Sequence, residues 1–228
     1  MSFDPPSPAA PDRIDSVYDM IWNGGPLMWP LALCSVIALA YAVERTLRLR
    51  DGELGSKSYG RSIVDAFVSQ GAPGAAALCN ERPRPLGRVL LAGIQRAGAP
   101  LLEREKAVED AGLREMKRLS ANLKPLVVVG MLAPLLGLLG TVYGIIQAFT
   151  EVAFHSGQGK PEQLAAGLSQ ALITTAAGLS IAVPTQAAYF WLKSKVDRFV
   201  RRAEDSYGEL QEALERGGRP SAESGGAA

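Results

Sequence analysis

The sequence predicts an all-α integral membrane protein with three transmembrane helices, and three observations predict it. Asp, Glu, Lys and Arg are absent from Met20 to Val43, from Pro125 to Thr150 and from Gln163 to Leu192 of a 228-residue chain. Each window is long enough to cross a bilayer, which takes roughly 20 residues at about 1.5 Å of rise per residue. The remaining charge is segregated: only Arg13 precedes the first window, only Lys160 lies between the second and third, and every other Lys or Arg falls between Arg45 and Lys124 or from Lys193 onward. By the positive-inside rule, the N-terminus lies outside, the large middle segment inside and the C-terminus inside.

The elements follow in order. Residues 1–12 are acidic and Pro-rich with no basic, apolar leader pattern, so they read as a disordered lead-in and not as a cleavable signal. In residues 13–25, Ile14, Val17, Tyr18, Ile21 and Trp22 share one helical face, which predicts an amphipathic helix at the periplasmic interface. "NGGP" at Asn23–Pro26 then turns the chain into the first span, residues 26–45, and "ERTLRLR" from Glu44 to Arg50 anchors its inner end. Residues 46–123 form a cytoplasmic helical segment, with apolar faces at Ile63, Val64, Phe67 and Val68 and at Leu86, Val89, Leu90 and Ile94. "QGAPG" and "ERPRP" punctuate it.

From Leu101 the helical pattern runs into the second span, residues 124–151, with a kink expected at Pro125 on the membrane edge. A periplasmic loop, residues 152–162, leads to the third span, residues 163–192. Val196, Phe199, Val200, Ala203, Tyr207, Leu210 and Leu214 continue a helical stripe through residues 193–217, until Gly217 and Gly218 stop it; residues 218–228 read as a disordered tail. Spans two and three are therefore expected to extend into a cytoplasmic helical bundle. The stripe packs on the chain itself, on neighbouring subunits, or on both.

The chemistry is sparse. Cys34 and Cys79 read as small apolar fillers, and the one histidine, His155, as a solvated residue of the outer loop. Glu103/Glu105 and Glu109/Asp110 alternate with Arg104, Lys106 and Arg114 on a charged helix face. No metal-ligand spacing, phosphate loop or nucleophile–base pair is visible, so no enzyme, cofactor, metal or nucleic-acid partner is expected. The spans are more informative. Gly137, Gly140 and Gly144 in the second and Gly178 in the third recur with other small residues at three- and four-residue spacings, the pattern of close helix packing in membranes. Thr141, Gln170, Thr174, Thr175 and Ser180 add a polar seam. A proton path through a membrane needs a titratable group, and no span carries Asp, Glu, His, Lys or Arg. A proton function would therefore need a second protein to supply the acid.

Three motifs resemble one family. "GGPLMWPLALCSVIALAYAVERTLRLR", "APLLGLLGTVYGIIQAF" and "LSQALITTAAGLSIAVP" are similar, in order and topology, to the three spans of the proton-channel subunits ExbB and TolQ, relatives of MotA, and most like ExbB. The resemblance implies an inner-membrane subunit that assembles as a homopentamer around a single-span ExbD- or TolR-like partner bearing an intramembrane Asp. It implies conversion of the proton gradient into work on a periplasmic or outer-membrane process through a TonB- or TolA-like protein. It also implies that Thr141 and Thr175 line the pore, with Gln170 and Thr174 beside them on the proton pathway. Members commonly carry Glu where this chain has Gln170, which puts a proton-relay role at that position in doubt. The competing expectations are a Tol-Pal-type motor for envelope maintenance and a non-conducting membrane scaffold.

Overall fold

The computed structural model describes residues 24–154 and 161–217. The lead-in, the amphipathic helix up to Asn23, His155 and the tail lie outside the described residues. Among the described residues every regular element is a helix: α1 Met28–Arg48, α2 Asp51–Leu54, α3 Lys57–Glu81, α4 Pro85–Ile94, α5 Leu101–Ala121, α6 Lys124–Phe154 and α7 Pro161–Gly217. Three helical stretches are long and apolar enough to cross a membrane: Met28–Arg48, Leu101–Thr150 and Leu164–Glu215.

Local chemistry sets the breaks. Gly71 takes φ 71° and ψ −170°, a left-handed backbone open to glycine, and so divides α3 into two pieces within the "QGAPG" stretch. The expected kink at Pro125 is displaced. Helix α5 stops at Asn122, and α6 starts at Lys124 with Pro125 as its second residue. In a first helical turn a proline's missing N–H is no loss, so Pro125 helps to start α6 and does not bend it. Pro134 and Pro184 lie inside α6 and α7 without ending either.

The chain divides into two compact units. The first joins residues up to Leu39 with Val128–Gln186. Its core is a cluster of Met28, Leu31, Ala133, Ala177 and Ala182, flanked by Leu136 and Ile181. The small residues of α6 and α7 thus meet the large ones of α1.

The second unit joins Ala40–Val127 with the chain from Ala187 onward. Here the α7 stripe is buried by the chain itself, through Val196, Phe199, Ala203, Leu210 and Leu214, together with Ile63, Leu86 and Leu90. Polar ties fix the bends: Tyr59 Oη donates to the Arg82 carbonyl at 2.7 Å, and Arg202 to the Gly55 carbonyl at 2.8 Å. Arg88 holds Glu115 with two hydrogen bonds, 2.8 and 2.6 Å long, which couples α4 to α5. At the end of the third uncharged window, the Lys195 ammonium lies 3.9 Å from the centre of the Trp191 ring, and Tyr189 meets Phe190 edge-on. Such aromatic and basic groups are typical of a membrane–water boundary.

Two outcomes check this unit. Glu115→Leu removes both charge-assisted bonds and should destabilise the protein by about 2 kcal/mol, read as a lower thermal midpoint in detergent; an unchanged midpoint would contradict the coupling. Cys79 is 3% exposed, and burial pushes its thiol up to about 11. Iodoacetamide at neutral pH should leave Cys79 unlabelled until the protein is denatured.

Candidate functional site: the seam between the second and third spans

Helices α6 and α7 approach so closely that side chains are excluded at several positions. A Cβ on Gly178 would lie 2.6 Å from the Ala133 carbonyl oxygen and 3.1 Å from Gly137 Cα. One on Gly144 would lie 2.9 Å from both Ala171 Cβ and the Gly167 carbonyl, and one on Gly137 3.1 Å from Thr175 Cα. A Cβ on Gly140 would overlap the Thr174 side chain. These approaches are to backbone or to short side chains, so nothing flexible can move aside.

The polar residues divide along this seam. Thr175 Oγ1 donates across it to the Gly137 carbonyl at 2.9 Å. Thr141, one turn beyond Gly137, donates within its own helix to the Leu138 carbonyl at 2.7 Å. Both threonines are half-buried. Both hydroxyls donate to backbone carbonyls, so in this arrangement each oxygen presents lone pairs to a neighbour.

Thr174 differs. It is 1% exposed, and its hydroxyl hydrogen is shared between the Gly24 carbonyl at 3.0 Å and the Gln170 carbonyl at 2.8 Å. This places Thr174 inside the fold, satisfying the turn ahead of α1, whereas the expectation had it beside Thr175 on the proton pathway. Gln170 serves the same turn. Gly25 has φ +73°, and a Cβ there would collide with the Gln170 amide nitrogen, so the end of the Gln170 side chain lies against the glycine. Irregular backbone among membrane helices must be satisfied by protein, and here Thr174 and Gln170 cover it.

A second amide was not expected. Gln186 lies over Gly130, where a Cβ would come within 2.8 Å of its amide group. Its sign in the sequence was simply an amide inside a window without charge. On α1, Trp29, Leu33, Val36 and Leu39 are exposed in a single stripe at helical spacing, a face suited to lipid. Among the described residues no cluster of His, Cys, Asp or Glu could hold a metal.

Residues 81–205 match the MotA/TolQ/ExbB proton channel family. A putative biopolymer transport protein ExbB-like 1 of Synechocystis is 35% identical over 181 residues, covering 78% of this chain and 71% of the relative. The biopolymer transport protein exbB1 of Vibrio cholerae is 33% identical over 195 residues, 84% of this chain and 85% of that one. The chain belongs to the MotA/TolQ/ExbB family. Within it the chain is most like ExbB. The family also reaches the Tol-Pal system protein TolQ of Pseudomonas aeruginosa, 35% identical over 111 residues, 49% of this chain and 48% of that one. The matched region contains the whole α6–α7 seam. This ExbB-like chain is accordingly a transmembrane protein of a proton-channel family.

The role of Thr174 is open to direct test. Thr174→Val keeps the shape but leaves the buried Gly24 carbonyl without its donor, which should lower stability by about 1–2 kcal/mol. Thr174→Ser should restore it. The thermal midpoint in detergent reads both variants; if Val and Ser behave alike, the hydroxyl does not hold the turn.

Proposed function

We propose that this chain is the channel subunit of an inner-membrane, proton-driven motor and has no catalytic chemistry of its own. It assembles as a homo-oligomer, in keeping with the family resemblance a pentamer, with α6 and α7 toward the lumen and the exposed stripe of α1 toward lipid. A single-span partner of the ExbD or TolR type supplies the intramembrane Asp. Proton passage at that Asp moves the partner, and a TonB-like protein carries the motion to a periplasmic or outer-membrane process. The observation that carries this reading is a seam with hydroxyls and amides but no titratable Asp, Glu, His, Lys or Arg in any uncharged window. The ExbB-named relatives support an uptake role. The TolQ relative favours a second reading, in which the same motor serves envelope maintenance through a TolA-like protein.

Thr141 and Thr175 are assigned to the lining, Gln170 beside them and Thr174 behind. Because both lining hydroxyls donate to backbone, they are set to accept from the partner's acid when it is protonated, or from water. Gln170 positions the lining and takes no proton, since an amide does not titrate in this range.

Proton flux through vesicles containing this chain and its partner tests the assignment. Thr141→Val and Thr175→Val should each cut flux severely while the oligomer persists, because one lost hydrogen bond changes stability by only about 1 kcal/mol. Gln170→Leu should impair flux and Gln170→Glu should preserve it, since burial keeps that Glu neutral with a similar donor and acceptor. Asp→Asn in the partner's span should abolish flux. Normal flux in both Val variants would return the threonines to helix packing.

A further inference from the structure

Six arginines line one pocket of about 700 Å³ in the second unit: Arg45, Arg48, Arg82, Arg84, Arg88 and Arg118. The carboxylates among its walls are Glu53 and Glu115. Glu115 is engaged by both Nε and Nη2 of Arg88. Arg45 is the informative member. It is 7% exposed, and its Nε is buried with no hydrogen-bond partner. Its ion-pair contact is with the adjacent Glu44, 3.7 Å from Nη2, and that carboxylate also pairs with Arg48 at 3.2 Å. A buried, incompletely bonded guanidinium is costly unless an anion completes it.

Two of the other arginines are held in place. Arg84 stacks 5.1 Å from the centre of the Tyr59 ring, and Arg88 Nη1 donates to the Pro83 carbonyl at 2.7 Å. Clustered guanidinium groups match the oxygens of a phosphate with paired hydrogen bonds. The surroundings narrow the source of that phosphate. Arg45 and Arg48 are the first basic residues after the uncharged window of α1, and Asn122, also in the wall, stands three residues before the second window. Leu47 lines the pocket and is 56% exposed, one turn from exposed Val43 on the same helix. A pocket that is cationic inside and apolar at the membrane end suits an amphiphile with an anionic head. Basic pockets beside membrane helices bind such headgroups.

We infer that the arginine pocket at the end of α1 binds the phosphate headgroup of an anionic phospholipid, with an acyl chain lying along Val43 and Leu47. The pocket requires no particular function of the seam; only the assignment to the cytoplasmic leaflet rests on the proposed topology. Lipid occupancy of this kind ties α1, the "ERPRP" turn and α5 together at the membrane edge.

The test uses the full chain purified as its native assembly in mild detergent, titrated with phosphatidylglycerol or phosphatidylcholine and read by native mass spectrometry. Phosphatidylglycerol should be retained about tenfold better than phosphatidylcholine, the scale of a charge-assisted contact. The paired variant Arg82→Gln with Arg84→Gln should erase that preference. Arg82 is exposed and Arg84 only half-buried, so their loss should leave the assembly intact; Arg45→Gln is measured alongside. Equal retention of the two lipids, or a preference that survives the paired variant, overturns the site. Radiolabelled inorganic phosphate binding with the same arginine dependence and displacing phosphatidylglycerol identifies a soluble anion and overturns the lipid assignment. Proton flux measured on the same preparations separates failure of this site from failure of the channel reading.

Discussion

The separation of α6 and α7 is the constraint on which the spanning unit depends. A glycine seam brings the two backbones close enough for Thr175 to reach the Gly137 carbonyl, and no larger residue could stand at Gly178 without moving Ala133. In lipid this contact gains nothing from leaving water, because acyl chains are as apolar as leucine. It is held by dispersion between closely fitted surfaces and by hydrogen bonds. Widening the seam would therefore forfeit two contributions together: the fitted surface and the Thr175 bond. The Thr175 hydroxyl has a fixed direction only because the seam is fixed.

A second constraint follows from the first. With α6 and α7 this close, α1 packs its large Met28 and Leu31 against Ala133, Ala177 and Ala182, and the turn ahead of it must find partners among the same helices. The Gly24 carbonyl and the left-handed Gly25 meet Thr174 and Gln170. Two residues that look like parts of a conduit thus also hold the start of the first span. Replacing either one changes the position of α1 as well as the polarity of the seam, so stability and conduction have to be read separately in any variant.

The membrane class was legible in the sequence because it is written in composition: uncharged windows and rows of small residues need no tertiary information. The division of labour between Thr174 and Thr175 was not. Adjacent positions on a helix point about 100° apart, and which of them faces inward depends on where the Gly24–Gly25 turn lands. Gln186 went unnoticed because its meaning comes from Gly130 on another helix. The break at Asn122 was drawn to Pro125 by the usual disruptive effect of proline, yet within a first helical turn that effect vanishes. The arginine pocket was not legible as one site: "ERTLRLR" and "ERPRP" carry four of its arginines, but its members come from α1, the turn between α3 and α4, α4 and α5.

On the proposed reading, the direction of the lining hydroxyls bears on how a partner's acid would behave beside them. Thr141 and Thr175 donate inward, so they present oxygen lone pairs. A protonated carboxyl finds acceptors there, whereas a carboxylate finds no donor from either threonine, and the surrounding residues add no positive charge within the uncharged windows. Both effects favour the neutral acid, in the same sense as burial. The charged form would then be stable only where the partner meets water. An acid favoured as neutral at the seam and able to ionise away from it releases its proton as it leaves. Proton release and displacement of the partner would be coupled by the backbone bonds of two threonines, without a charged residue from this chain.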